Sequence, residues 1–151
     1  MASTKEILAR SELFKRLTNE ELEKVAGLGR QEIYPEEFTI FSESAMTGDL
    51  YIVDVGKVAV EMKLSVYPGL VQQATVEVVL EGDAFGWSAV LGSPIYSFSA
   101  KSVEPVRLVA IDGERLHSLL DENPDMGYRV MSALVEVVSS SMRSVKRTLL
   151  A

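Results

Sequence analysis

The fold of this chain is decided by the stretch Glu81-Gly-Asp-Ala-Phe-Gly-Trp-Ser-Ala-Val-Leu-Gly-Ser-Pro-Ile-Tyr-Ser-Phe-Ser-Ala100. It is a glycine-led turn that joins two β-rich runs. Gly86 lets another group approach the backbone closely, because it has no side chain. The amides that follow, those of Trp87, Ser88 and Ala89, favour an anion or an oxygen-rich group where a helix begins. The stretch therefore predicts a binding loop within a β framework.

Around this loop, residues 31–111 form short β-rich runs separated by turn formers. Regularly spaced strands of this kind are typical of an antiparallel β-roll or jelly roll, a double-stranded β-helix. The fold class is therefore mainly β with flanking helices. The predicted strands include Phe38–Phe41, Leu50–Val55, Lys57–Met62, Thr75–Leu80 and Pro105–Ile111.

Helices are predicted on both sides of the β region. Residues 1–30 form a helical segment, in which Thr18-Asn-Glu-Glu21 reads as a capping box for a helix ending near Ala26. Residues 112–150 return to helix, with Asp112 as an N-cap and Asn123-Pro124 opening a long C-terminal helix. We expect one domain over 1–151, since a chain of this length buries one sizeable core.

The long helix carries an apolar stripe that predicts a partner helix. Val135, Val137 and Leu150 widen the apolar face, which favours the alternative that the helix packs on its own β-roll. The first reading predicts a homodimer through 124–150. The stripe consists of Met131, Leu134, Val138, Met142, Val145 and Leu149.

Composition excludes several functional classes. The chain has 15 basic and 22 acidic residues, a net charge of −7, which disfavours a surface built to neutralise nucleic-acid phosphates. Cysteine is absent and His117 is the one histidine, so disulfides, Cys/His metal sites and Ser-His or Cys-His catalytic pairs are not expected. No metal and no catalytic residue is predicted. No apolar run reaches the length of a membrane span, and a reducing cytoplasm is the expected location.

The order of elements resembles the cyclic-nucleotide-binding domain of the catabolite activator and FNR-type regulators. The resemblance is carried by Leu13–Leu22, by the Tyr51, Gly56 and Val58 pattern of a hairpin, and by Gly82-Asp83-x-Phe85-Gly86. It runs almost from end to end. In that family residues matching 82–100, here called the cassette, place a helix N-terminus under a cyclic phosphate, a glutamate on the ribose and an arginine on the phosphate.

The cassette departs from the family at both selective positions. By alignment, Trp87 stands at the glutamate position and Tyr96 at the arginine position. A charged hydrogen bond of this type contributes about 1.5–3 kcal/mol, so high-affinity binding of cyclic AMP is not expected. The resemblance implies a pocket for another ligand, an unidentified small or nucleotide-like molecule. Its predicted residues are Phe85, Gly86, Trp87, Ser88, Ala89, Tyr96, Ser97, Phe98 and Ser141.

Three of these residues have plainer interpretations. Trp87 either contacts a ligand or fills the empty cavity against Phe85 or Phe98. Tyr96 is either a surface residue at a turn or a donor to a ligand carboxylate or carbonyl. Ser141 either contacts a ligand, as a hydroxyl does in the family, or packs at a close dimer contact.

The sequence therefore predicts a non-catalytic sensory or regulatory domain that binds a small ligand other than cyclic AMP and signals through a dimer. The alternative is a ligand-free structural domain for protein interaction or dimerisation, with a collapsed pocket. A metal-dependent β-barrel enzyme is disfavoured because its ligand histidines are missing. The family's regulators continue into a helix-turn-helix module, so direct nucleic-acid binding is not expected of these residues, whether the chain is a whole protein or a truncated piece. A partner protein is the expected recipient of the signal.

Overall fold

Two four-stranded antiparallel sheets and four helices make up the computed structural model, which describes residues 1–150. The predicted fold class is confirmed. Along the chain the helices are α1 (Thr4–Arg10), α2 (Asn19–Ala26), α3 (Gly113–Glu122) and α4 (Pro124–Leu150). The strands are β1 (Gly29–Tyr34), β2 (Thr39–Phe41), β3 (Asp49–Val55), β4 (Val58–Tyr67), β5 (Leu70–Val79), β6 (Ala84–Phe85), β7 (Ser99–Ser102) and β8 (Val106–Asp112).

The sheets have the strand orders β1-β8-β3-β6 and β2-β7-β4-β5, so neighbouring strands are mostly distant in sequence. β4 and β5 form one long hairpin, with Val58 opposite Val79 and Tyr67 opposite Leu70. The β7 strand joins β4 on its other side, with Val58 opposite Ser102. β1 and β7 are absent from the sequence predictions, because neither Gly29–Tyr34 nor Ser99–Ser102 has a run of β-branched residues.

Local capping signals explain where the helices begin. The Thr18 hydroxyl accepts from the Glu21 amide and the Glu21 carboxylate accepts from the Thr18 amide, as predicted. Ser3 and Glu6 form a second capping box, which starts α1. The Asp112 carboxylate accepts from the Arg115 amide at 2.9 Å and starts α3. These side chains satisfy amides that have no partner inside the helix.

Alternation along β3 divides the core into two parts. Leu50 and Ile52 point toward the helices and join a core that includes Leu8, Phe14 and Val130. Tyr51 and Val53 point between the two sheets and join an aromatic and aliphatic core. The β-roll therefore has one face built for the helices and an interior of its own.

The apolar stripe of α4 is partly buried in the helix-side core and partly exposed to solvent. Leu134 is 3% exposed and belongs to the helix-side core, whereas its neighbour Val135 is 67% exposed. Placing Leu134 in an outward seam is therefore wrong, because that side of the helix packs on the domain. No helix within residues 1–150 combines the length and apolar character that crossing a bilayer requires.

Candidate ligand-binding site

A cavity lies between the cassette, the β4–β5 hairpin and the second half of α4. Eight of the nine predicted site residues line it, whereas the ninth, Ala89, lines another cleft beside α3. The cavity also includes Phe41, Val60, Val76, Glu77 and Val145, which the sequence analysis did not identify. The predicted residues that line it are Phe85, Gly86, Trp87, Ser88, Tyr96, Ser97, Phe98 and Ser141.

Gly86 sets the direction of the cassette backbone. Its φ of 73° and ψ of 24° lie in the left-handed region, which strains residues with a side chain. A Cβ there would lie 3.1 Å from the Asp49 carbonyl oxygen. A single 3₁₀ turn, Trp87–Ala89, follows directly. The Ala89 amide donates to the Gly86 carbonyl at 3.3 Å, whereas the Trp87 and Ser88 amides open the turn and have no carbonyl within it to donate to.

Tyr96 fits neither of its two sequence interpretations. Its side chain is 4% exposed, so it is not a surface residue. The hydroxyl accepts from the amides of Gly48 and Asp49 at 3.2 and 3.0 Å and donates its proton to the Asp49 carbonyl at 2.7 Å. A hydroxyl has one proton to donate, so Tyr96 fastens the start of β3 and offers the cavity its ring.

That ring belongs to an aromatic stack, of which Phe41, Phe85 and Tyr96 line the cavity. The ring centroids of Tyr96 and Phe41 are 3.7 Å apart, and those of Tyr51 and Phe85 are 5.1 Å apart. Phe41 connects the two pairs, at 6.0 Å from both Tyr51 and Phe85. Burial raises the pKa of Tyr96 and of Tyr51, so both hydroxyls stay neutral at ordinary pH.

Trp87 also lines the cavity, and its partly buried side chain packs against the helix-side core. None of the stacked ring pairs within residues 1–150 includes Trp87, so no ring stack joins it to Phe85 or Phe98. The cavity has a volume of about 30 Å³. This is room for one or two water molecules, far below the roughly 300 Å³ at which small-molecule sites usually begin.

Glu77 supplies the charge of the cavity. Its carboxylate oxygens accept from the Ser141 hydroxyl at 3.0 and 3.1 Å, which joins β5 to α4. Burial raises the pKa of Glu77, and the Ser141 hydrogen bond opposes this only in part. Nearby Asp83 and Glu12 raise it further. No lysine, arginine or histidine is among the residues that line this cavity in the described part of the chain.

The cassette also contacts α3, and α3 in turn contacts α4. A Cβ on Gly113 would lie 2.4 Å from the Ala89 carbonyl oxygen, so only glycine fits between α3 and the 3₁₀ turn. The ring Nδ1 of His117 lies 2.9 Å from the Val90 carbonyl oxygen. A Cβ on Gly127 would lie 2.7 Å from the Leu120 carbonyl oxygen, where α3 meets α4.

Among residues 1–150 the structure has no group of three or more His, Cys, Asp or Glu side chains arranged to hold a metal ion. The side chains that line the cavity are mostly aromatic or aliphatic, with Glu77 and three serines as the polar members. Such a lining is chemically complementary to an apolar molecule that carries a hydrogen-bond donor.

The sequence profile of the family described as "Cyclic nucleotide-binding domain" matches residues 31–123. A search among curated proteins finds none that matches the chain. Among solved structures, a protein of Geobacter metallireducens GS-15 described as a cyclic nucleotide-binding protein is 27% identical, with a TM-score of 0.78. The alignment covers 94% of this chain and 99% of that one.

Two further structures have the same fold. The catabolite activator protein of Thermus thermophilus is 26% identical with a TM-score of 0.73, and the match covers 92% of this chain and 62% of that protein. A cyclic nucleotide-binding domain from Methylobacillus flagellatus KT is 22% identical with a TM-score of 0.79, and the match covers 97% and 81% of the two chains.

Proposed function

The chain belongs to the family of cyclic nucleotide-binding domains, and we propose that it is a non-catalytic sensory domain with an altered cassette. In this proposal the pocket takes a small ligand other than cyclic AMP. The output passes through a homodimer built on α4 to a partner protein.

The observation that carries the proposal is the position of Tyr96 and the hydrogen bonds of its hydroxyl. It stands where the sequence resemblance expects an arginine, and its hydroxyl is committed to the backbone of Gly48 and Asp49. Loss of a charged hydrogen bond to phosphate costs about 1.5–3 kcal/mol, roughly 10- to 150-fold in affinity. Glu77 adds a carboxylate to the same cavity, which disfavours an anion further. The pocket is therefore poorly suited to a cyclic phosphate.

A seam on α4 supports the dimer. Four residues spaced by seven lie on one exposed side of the helix, which is the spacing of a coiled-coil position. Half-buried Met131, Val138 and Val145 accompany them at the second position of the same heptads. The exposed four are Tyr128, Val135, Met142 and Leu149, with exposed fractions of 75%, 67%, 68% and 50%.

The contacts of α3 provide a route from the pocket to this seam. Ala89 abuts Gly113 and the Val90 carbonyl meets His117, so a displacement of the 3₁₀ turn must displace α3. Leu120 abuts Gly127, so α4 follows α3. Packed elements of this kind shift as units rather than deform continuously. Occupation of the pocket would thereby change the pitch of α4 in the dimer.

The altered cassette can be tested by reversing both departures. We expect Trp87→Glu combined with Tyr96→Arg to bind cyclic AMP at least about 10-fold more tightly than the wild-type protein in calorimetric titrations. The variant leaves Gly86 and the other two residues of the 3₁₀ turn, Ser88 and Ala89, unchanged. Tyr96→Phe is the control, because it loses the same backbone contacts without gaining a cation. No gain in the double variant would contradict the proposal that only the two side chains are altered.

The small cavity favours a second candidate, a ligand-free dimerisation domain. A volume of about 30 Å³ excludes a metabolite unless the walls move. This candidate predicts that no metabolite in a broad panel raises the melting temperature, whereas the sensory domain predicts at least one specific hit.

A further inference from the structure

The carboxylate of Glu77 has an incomplete set of partners. Both of its oxygens lie within hydrogen-bond distance of the Ser141 hydroxyl, which has a single proton to give. One carboxylate oxygen is therefore left without a donor from Ser141. The side chain is partly buried, and the aliphatic side chains of Val60, Val76 and Val145 line the same cavity. A carboxylate in apolar surroundings gains from a charged donor.

The charges around Glu77 leave that position open to a cation. A second, adjoining cavity is lined by Glu77 together with Glu12 and Asp83, so the titratable groups that act on Glu77 are also acidic. No basic side chain lines either cavity within residues 1–150. The local potential is therefore negative and no side chain lining the cavities neutralises it. An anionic ligand would be repelled, and a cation would be attracted.

The rest of the cavity has the lining that organic cations prefer. The rings of Trp87, Phe41 and Phe98 face the same space as Glu77. An ammonium or alkylammonium group is attracted to the faces of aromatic rings, and its apolar body is removed from water by them. A hydrated inorganic cation gains nothing from such walls.

We propose that this pocket binds a small organic cation, an amine or quaternary ammonium with an aromatic or aliphatic body, whose charged group pairs with Glu77 between the rings of Trp87, Phe41 and Phe98. The proposal rests on the proposed function, in that it names the ligand class of the same pocket. It adds that the ligand must be a cation and that Glu77 imposes this requirement.

Binding of such a cation has a structural consequence. The cavity of about 30 Å³ must widen to admit it, and Ser141 and Val145 are the part of the wall that belongs to α4. Widening at this part of the wall separates α4 from β5, which draws the Ser141 hydroxyl away from Glu77. The ligand therefore releases the contact that fastens the second half of α4 to β5, which links occupancy to the dimer helix.

The test uses three probes with one body and different charges. 2-Phenylethylammonium, 2-phenylethanol and 3-phenylpropionate are titrated into the wild-type protein at pH 7.5, with the fluorescence of Trp87, the one tryptophan, as the readout. We expect the cation to bind at least about 10-fold more tightly than the alcohol, the size of one charged hydrogen bond. The carboxylate should bind more weakly than the alcohol.

Two variants, one of them a control, test whether Glu77 causes the charge preference. Glu77→Gln keeps the shape of the side chain and should lower the affinity for the cation to that for the alcohol. Glu81→Gln removes the same charge from an exposed position outside the cavity and should leave the preference unchanged. Thermal melts of each variant verify that it is folded.

The outcomes separate this inference from the proposed function. Equal affinities for the three probes, a preference that survives in Glu77→Gln, or no binding of the cation at millimolar concentration would each overturn the inference. Binding of the alcohol alone or of the carboxylate alone would also overturn the inference, but it would support the proposal that the pocket binds a small ligand of another class. If no probe binds and the metabolite panel also gives no hit, the proposed function fails as well.

Discussion

Two glutamates contact the long helix α4, one through a positively charged arginine and the other through a neutral hydroxyl. Glu21 of α2 receives two hydrogen bonds from Arg129, at 2.7 and 2.6 Å, near the start of α4. Glu77 of β5 receives, among residues 1–150, just the hydroxyl of Ser141, three turns further along α4. The Arg129 guanidinium and the Thr18 amide lower the pKa of Glu21 to about 2, whereas burial raises the pKa of Glu77.

The difference indicates which half of α4 is able to move. The first half is fixed by a charge-compensated pair and by the buried side chains of Met126, Val130 and Leu134. In the second half, Ser141 is the one buried residue from 139 to 150. Its partner is a carboxylate that lacks a countercharge. We therefore expect the first half to act as an anchor and the second half as a lever, held by the contact that the proposed ligand would release.

The largest expected effect concerns the exposed seam of α4. Met142→Glu would place a charge from each protomer at the centre of the seam, and burying an uncompensated charge is costly. We expect dimerisation to weaken by roughly 100-fold or more, measured by sedimentation equilibrium. Met46→Glu is the matched control, since Met46 is 85% exposed and lies on a loop. An unchanged dimer in Met142→Glu would contradict the seam.

A smaller effect is expected at the anchor. Glu21→Gln should lower the melting temperature at pH 7 by a few degrees, because the ion pair with Arg129 is lost. Since the folded pKa of Glu21 is lowered from 4.5 to about 2, its contribution is fully present above the unfolded value and disappears as the pH falls through about 2. The difference between variant and wild type should therefore shrink in acid. Glu20→Gln, at an exposed neighbouring position, is the control.

The smallest effect has the opposite sign. Because the pKa of Glu77 is raised from 4.5 in the folded protein, ionising it costs stability that is fully present above the folded pKa and vanishes below the unfolded one. Glu77→Gln removes this cost. Its melting temperature should exceed that of the wild type by about one to two degrees at pH 7.5, and the gap should close below about pH 4.5. Glu12 and Asp83, the acidic neighbours, remain in both proteins. A variant that is less stable than the wild type at pH 7.5 would contradict this prediction, because it would show that the ionised Glu77 carboxylate stabilises the fold.

Local signals predicted the elements whose cause is local. The capping box of Thr18 and Glu21, the N-cap of Asp112 and the start of α4 at Pro124 all involve residues within three or four positions of each other. Strands rich in branched residues, such as Leu50–Val55, were predictable for the same reason.

The parts that were not predictable depend on long-range pairing. Tyr96 reaches Asp49 across 47 residues and Glu77 reaches Ser141 across 64, and no local pattern in the sequence indicates either contact. The outward seam of α4 did have a signal, since Tyr128, Val135, Met142 and Leu149 repeat every seven residues. The apolar neighbour Leu134 obscured it, because hydrophobicity alone does not distinguish the inner face of a helix from the outer one.

The most direct test of the account is a titration of Trp87 fluorescence in the wild-type protein, with cyclic AMP, cyclic GMP and 2-phenylethylammonium. We expect a saturable change with the organic cation and none with either cyclic nucleotide at low micromolar concentrations, because the cavity presents Glu77 and no basic side chain lines it within the described residues. A saturable low-micromolar response to cyclic AMP or cyclic GMP would contradict it.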